Sequence, residues 1–362
     1  MNCLLAFITH AVLCAPFAFA GPAVDHHVAL TPENAILGYF SPTKKPVLTI
    51  KSGETVSIDG GGGHHWGTND ANAWLKENKI SVTVETSPAL AETIKVFKET
   101  PRPEGIPGGH LLVGPIYVEE AEPGDTLEVR ILSIVPRIPY GTVGGSRGWG
   151  GLPDVCPVPF LFVVMLDLAR NAGVFTVGVE VPLAPFMGVM ATCPPDSEGA
   201  LRKSGPPGSF GGNLDCKELK AGTSLFLPVY QKGALFYTGD SHAAQGDGEI
   251  SGQAIETANT ATLKFIVHKG KKLAGPRAET PTHYITFGLD PDLHKAMRFA
   301  ALDTIEFLKE KQGYDFLRAY ALSSIGVDFR VTQIVDGTQG VHGMIPKKLF
   351  LKDAEVFWYR AP

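Results

Sequence analysis

Between Gly233 and Leu263 the chain carries four carboxylates, one histidine and five glycines, with no lysine or arginine. Asp240 and His242 stand two residues apart, as do Asp247 and Glu249, a spacing that puts both side chains of a pair on one face of an extended strand. Glycines at 239, 246, 248 and 252 permit left-handed backbone and tight turns, which would draw these groups together. Crowded carboxylates without basic neighbours repel, and a bound divalent cation or a carboxyl held protonated relieves the repulsion. The segment therefore reads as a cation or catalytic site. The plainer alternative, a solvated acidic loop, has to accommodate the apolar runs ALFY and AI within it.

The elements that must position these groups are mostly strands. ALFYTGDSH reads as a strand running into a loop. KSGETVSI (51–58), EPGDTLEV (122–129) and KAGTSLFL (220–227) each read as a glycine turn followed by an alternating strand. SVTVE (81–85), GPIYVE (114–119), FLFVVML (160–166), FTVGVEV (175–181) and TLKFIVH (262–268) are rich in β-branched and aromatic residues, as pleated surfaces favour. Glycine and proline crowd 133–160 and 182–217, which predicts long site-shaping loops. Helix is expected late: Asp290-Pro291 as cap and first turn, an apolar stripe from Leu293 to Leu308, a stop at Gly313, and a second helix over 315–325 before VDFRVTQIVD returns to strand. The expected fold is α+β and mainly β, a β-sandwich or jelly-roll-like core with a smaller α/β portion and a late helical hairpin. Residues 21–217 are expected to form the sandwich-rich part and 218–362 the part that bears the site.

With 362 residues, 44% hydrophobic and 19% charged, the chain is long enough to bury a substantial core. A net charge of −5 with both signs interspersed argues against a nucleic-acid surface and for a small neutral substrate. Residues 1–20 are apolar, lack acids and end in Ala18-Phe19-Ala20, which predicts a cleaved signal peptide and export; a buried first strand or a membrane anchor is the alternative. No later run approaches the roughly 20 apolar residues of a membrane span. Cleavage would leave Cys156, Cys193 and Cys216, enough for one disulfide, Cys156–Cys193 or Cys193–Cys216, and one free thiol.

Five segments, GHLLVGPIYVEEAEPGDTLEV, PPGSFGGNLDCKEL, GDSHAAQGDGEISGQAIE, PRAETPTHYITFG and VTQIVDGTQGVHGMIPK, together resemble the acetamidase/formamidase family, in unbroken order from about residue 40 to 350. The resemblance implies hydrolysis of short linear amides to a carboxylate and ammonia, on a fold with a β-sandwich-rich core and a smaller α/β portion. The signal-like N-terminus and the glycine-rich GGGGHHWGTND segment depart from the family pattern.

Amide hydrolysis needs an activated nucleophile, stabilisation of the oxyanion and a proton for the departing nitrogen. The chain has no Ser-Ser-Lys signature and no cysteine in a nucleophile motif, which makes metal-activated water the economical mechanism. His242, Asp240 and Asp215 are the expected ligands, for zinc or a similar ion. Glu249 is the expected base or proton shuttle, with Glu256 as its competitor and His110 as a further site histidine. Asn213 and Gln245 are candidates to bind the amide or its oxyanion, and His65 and Trp66, with His64, to wall a small pocket. His283 and His342 are expected in structural hydrogen bonds.

Two other readings compete with a linear amidase: a lactam hydrolase, and a non-catalytic ligand-binding sandwich whose acidic stretch is a structural calcium loop. Calcium prefers six to eight oxygens, so His242 argues against the latter. The expected partners are a small amide and a second copy of the chain in a homo-oligomer, most simply a dimer, without nucleic acid and without stable membrane insertion once the signal is removed.

Overall fold

A computed structural model describes residues 22–63, 66, 70–106 and 108–351; the predicted signal at 1–20 and His65 lie outside them. The three repeated segments do fold as turn-plus-strand units. Gly53, Gly124 and Gly222 adopt φ of 96°, 94° and 89° ahead of strands Thr55–Asp59, Thr126–Pro136 and Ser224–Pro228. Glycine takes that left-handed backbone without a Cβ penalty.

These strands belong to a nine-stranded sheet ordered His26–Val28, Thr55–Asp59, Asn259–His268, Thr126–Pro136, Ser224–Pro228, Arg277–Glu279, His283–Asp290, Gln339–Pro346, Asp328–Gln333. A second sheet runs Gly211–Asn213, Phe186–Ala191, Phe236–His242, Leu111–Val118, Ala35–Leu37, with Leu48–Ile50 also paired to Leu111–Val118. Both sheets draw strands from either side of residue 217. Leu127, Leu263 and Phe265 of the first share one buried cluster with Val113, Met190 and Phe236 of the second. Phe236 meets Phe265 edge-to-face at 5.0 Å. Enclosing each such side chain contributes about 1.5–3 kcal/mol, so this layer is the rigid base on which the site is built.

A four-stranded sheet of Tyr140–Gly145, Phe160–Asp167, Ala172–Thr176 and Val179–Pro182 completes the frame. Isolated bridges pair Glu256 with both Thr142 and His242, tying that sheet to the acidic segment. Helices Leu293–Gln312 and Phe316–Gly326 form the expected late hairpin. The first lies directly on strand His283–Asp290, and a Cβ on Gly288 would come within 2.0 Å of the Ala296 carbonyl oxygen.

Several local expectations are overturned. SVTVE is no strand: Thr86 Oγ1 accepts from the Thr83 N–H and Asn72 Oδ1 from the Val84 N–H, so side chains occupy donors that a ladder would have used. Helix is not confined to the end of the chain, since Ala71–Glu77 and Pro88–Glu99 flank that segment, the latter with proline in its first turn. The hairpin's first helix is capped by Asp292, which accepts from the Lys295 N–H, and not by Asp290. FTVGVEV is broken at Gly178, φ 79°, into two strands. The two long loops contain strands Tyr140–Gly145 and Phe186–Ala191. The expected disulfide is missing among the described residues: Cys156, Cys193 and Cys216 are all free thiols. Cys193 and Cys216 are each enclosed in the core, while Cys156 sits in the loop before Phe160–Asp167 with its thiol on the Val158 carbonyl.

Candidate active site

Eight described non-glycine residues have positive φ, and four of them are acidic residues of one cleft: Asp215 (45°), Asp240 (59°), Glu249 (45°) and Asp336 (58°). Left-handed backbone at a non-glycine residue costs of order 1–3 kcal/mol and persists where the surrounding structure over-determines it. Here the scaffold is the strand pair Phe186–Ala191 and Phe236–His242, in register Phe186↔His242 and Val189↔Gly239. Gly188 lies between these pairs. A Cβ there would come within 2.4 Å of both Asp215 Oδ1 and Asp240 Oδ2 and 2.8 Å of His242 Cε1, so only glycine lets the three side chains converge.

His242 is the centre of the cluster and is 1% exposed. Its Nε2 lies 3.2 Å from Asp240 Oδ2 and 3.3 Å from Glu256 Oε1, and its Nδ1 lies 3.9 Å from Asp215 Oδ1. Asn259 Nδ2 donates to the His242 carbonyl at 2.9 Å and fixes the strand end. Two groups of three, Asp215–His242–Glu249 and Asp240–His242–Glu256, each bring a ligand atom per residue within 4.8 Å of the others. They differ in one respect. Asp215 Oδ1, His242 Nδ1 and Glu249 Oε2 are all buried without a hydrogen-bond partner, whereas the nitrogen facing Asp240 and Glu256 has carboxylates to receive its proton. Buried polar atoms are ordinarily paired, so three orphans in one triad mark a place built for a further group. An imidazole, two carboxylates and that spacing fit a divalent metal ion.

Without a cation, the crowded carboxylates and the imidazole must share protons. Burial first, then repulsion from Glu249 and Asp240, pushes Asp215 well above the usual carboxylate range. Burial likewise raises Glu249 against the pull of His242. Asp240 goes the other way: burial opposes its charge, but His242 and His110 hold it below its ordinary value. For His242 burial disfavours the cation, yet Asp240 and Glu256 raise it well above the ordinary imidazole value.

The cluster faces a cleft of about 220 Å³. His110 lines it, with Nε2 3.9 Å from Asp240 Oδ2 and Nδ1 3.0 Å from Ser204 Oγ. Asn213 lines it too: Nδ2 donates to Asp336 Oδ2 at 2.8 Å, leaving a buried Oδ1 without a partner. Among the described residues lining the cleft there is no lysine or arginine. Gln245 braces the site from outside by donating to the Asp215 carbonyl at 2.7 Å. Trp66 is buried in a separate cluster, edge-on to Trp74 at 5.3 Å, and does not line the cleft.

Sequence reasoning missed Asp336, Gly188 and Gln253, the last a lining residue of the cleft whose buried Oε1 has no partner. Asp336 sits in the VTQIVDGTQG segment, where the Asp-Gly pair signals a turn, yet nothing in that segment's spacing points 96 residues back to Asp240. The side chain of Gln333 pins that turn through the Val335 N–H and the Thr338 carbonyl, and Gly248 pairs with Gln333, locking it to the Glu249 loop.

A two-sheet β core with a buried histidine behind a small cleft lined by carboxylates holds the groups that a hydrolytic enzyme needs. Residues 102–204 and 196–352 match the acetamidase/formamidase family, and the chain belongs to it, an amidohydrolase of non-peptide carbon–nitrogen bonds. It is 31% identical over 305 residues to a formamidase of Methylophilus methylotrophus, covering 63% of this chain and 73% of that one. It is 28% identical over 293 residues to an acetamidase of Mycolicibacterium smegmatis, covering 59% and 72%. The crystal structure of an acetamidase from Bacillus halodurans superposes with a TM-score of 0.74 at 30% identity, over 91% of this chain and all of that one.

Proposed function

We propose that the enzyme hydrolyses short linear amides of the formamide and acetamide class, with a divalent metal ion, zinc by its donor set, held by Asp215, His242 and Glu249. The observation that carries this reading is the coincidence of three orphaned buried atoms in that one triad. The imidazole orientation supports it. Nε2, close to two carboxylates, keeps its proton, so an ion between Asp215 and Glu249 would have only the Nδ1 proton to displace. In this assignment Asp240 orients His242, whereas the sequence pattern alone had counted it among the ligands. When bound, the ion supplies Lewis acidity toward the amide carbonyl and lowers the pKa of water beside it.

Glu256, partly exposed to the cleft, takes a proton from the attacking water as its oxygen bonds to the carbonyl carbon. It returns that proton to nitrogen as the carbon–nitrogen bond breaks. The carboxylic acid then loses its own proton to ammonia, leaving a carboxylate and ammonium. Asn213 Oδ1 and the Asp336 carboxylate are acceptors suited to the two N–H groups of a primary amide, and His110 completes the wall beside Asp240. The carboxylate product then faces an acidic cleft, which favours its departure.

Ammonia release from formamide, acetamide, propionamide and a lactam, with wild type and His242→Ala, tests the assignment. Turnover of the linear amides and its loss in the variant are expected; equal rates in the two proteins would sink the role of His242. Two further proposals complete the reading: export directed by residues 1–20, checked by cell fractionation, and a homodimer, checked by sedimentation.

A further inference from the structure

Immediately after Asp215 the chain turns a different set of ligands away from the cleft. Cys216 Sγ, a carboxylate oxygen of Glu218 and a ring nitrogen of His342 lie within 4.8 Å of one another. Cys216 Sγ is 3.5 Å from Glu218 Oε2, and His342 Nε2 is 3.4 Å from the same oxygen. Zinc bonds of about 2.3 Å to sulfur and about 2.0–2.2 Å to nitrogen and oxygen place tetrahedral ligand atoms about 3.3–3.6 Å apart. Both separations fall in that window.

A plain ion pair is the competing account, and two details count against it. His342 is fully buried, and although, against burial, it helps to pull the Glu218 carboxyl down to about 2, its Nε2 makes no hydrogen bond of good geometry with that oxygen 3.4 Å away. Each side chain except the thiol is also braced from behind: His342 Nδ1 pairs with Thr332 Oγ1 at 2.7 Å, and Arg330 Nη1 donates to the other oxygen of Glu218 at 3.0 Å. Such support fixes the ring orientation and carboxylate of a metal ligand. We propose that Cys216, Glu218 and His342 form a second metal site, separate from the cleft, for zinc or another thiolate-preferring divalent ion. A thiolate and an imidazole disfavour calcium and magnesium. An ion there would clamp segment 214–219 to strand Gln339–Pro346 and so hold the backbone that carries Asp215.

The test is cobalt(II) substitution of the full chain after chelator stripping. Cysteine-ligated cobalt shows a sulfur-to-metal charge-transfer absorption in the near ultraviolet, and neither triad in the cleft contains a cysteine. Wild type is expected to show this band, Cys216→Ser and His342→Gln to lose it with one equivalent of metal per chain, and His242→Ala to keep it. A wild type that binds cobalt without the band, or a band that survives Cys216→Ser, overturns the proposal. The wild-type spectrum decides even if a variant fails to fold, and the outcome is independent of whether the cleft hydrolyses amides.

Discussion

His242 presents a different chemistry from each ring nitrogen, so the residues around it should fail in different ways. Asp240→Asn weakens the acceptor of the Nε2 proton while keeping its shape, and a loss of about 10–100-fold in metal affinity or activity is expected, with little change in the melting temperature of the metal-free protein. Gly188→Ala should abolish ammonia release, since its methyl would occupy the space where Asp215, Asp240 and His242 meet; wild-type activity in that variant would contradict the geometry. Asp336 is the pH-sensitive member. Burial, aided by Asp240 and Glu256 and opposed by His110, lifts it to about 6. An acceptor for a substrate N–H works best ionised, so kcat/KM should rise with pH through about 6. In Asp336→Asn that limb should vanish from the profile, at a lower plateau.

At the scale of elements, strand Thr126–Pro136 carries an internal ion cluster whose removal tests the frame and not the chemistry. Glu128, with no exposed side-chain surface, accepts from Arg130 Nε at 2.6 Å, His268 Nε2 at 2.8 Å and Ser224 Oγ at 3.0 Å. Burial opposes its charge, but the bonds from His268 and Arg130 hold its pKa below the ordinary value. A depressed carboxylate stabilises the fold above its unfolded value, and that stability is lost as pH falls through the folded value. Glu128→Gln should therefore cost about 1–3 kcal/mol near neutrality and flatten the acid limb of stability, read by urea unfolding at several pH values. Legibility in the sequence follows the same local-versus-distant divide. Strands announced by a glycine turn and β-branched alternation, and the helix stopped at Gly313, were readable because their causes are local. Pro88–Glu99 was obscured by the β-branched run before it, whose donors are taken by Thr86 and Asn72. In the site, Asp240, His242, Glu249 and Glu256 were legible as one segment. Asp336 and Gly188 were not, because only tertiary pairing brings them to it.

For the molecule as a whole, metal and fold are expected to be linked. An ion that binds the native state alone adds about 2.7 kcal/mol at a hundredfold excess over its dissociation constant. Chelation should lower both activity and melting temperature, and zinc should restore both; a melting temperature indifferent to chelator would contradict the linkage. The order of the nine-stranded sheet has a different kind of consequence. Strand Thr126–Pro136 is flanked on one side by Ser224–Pro228 and on the other by Asn259–His268, with Thr126 opposite His268. Neither neighbour exists when that strand leaves the ribosome, and long-range pairing of this kind slows folding. The nascent chain thus carries this interior strand without either partner through the synthesis of about ninety further residues, from Pro136 to Ser224, and its dependence on chaperones should be greatest in that interval.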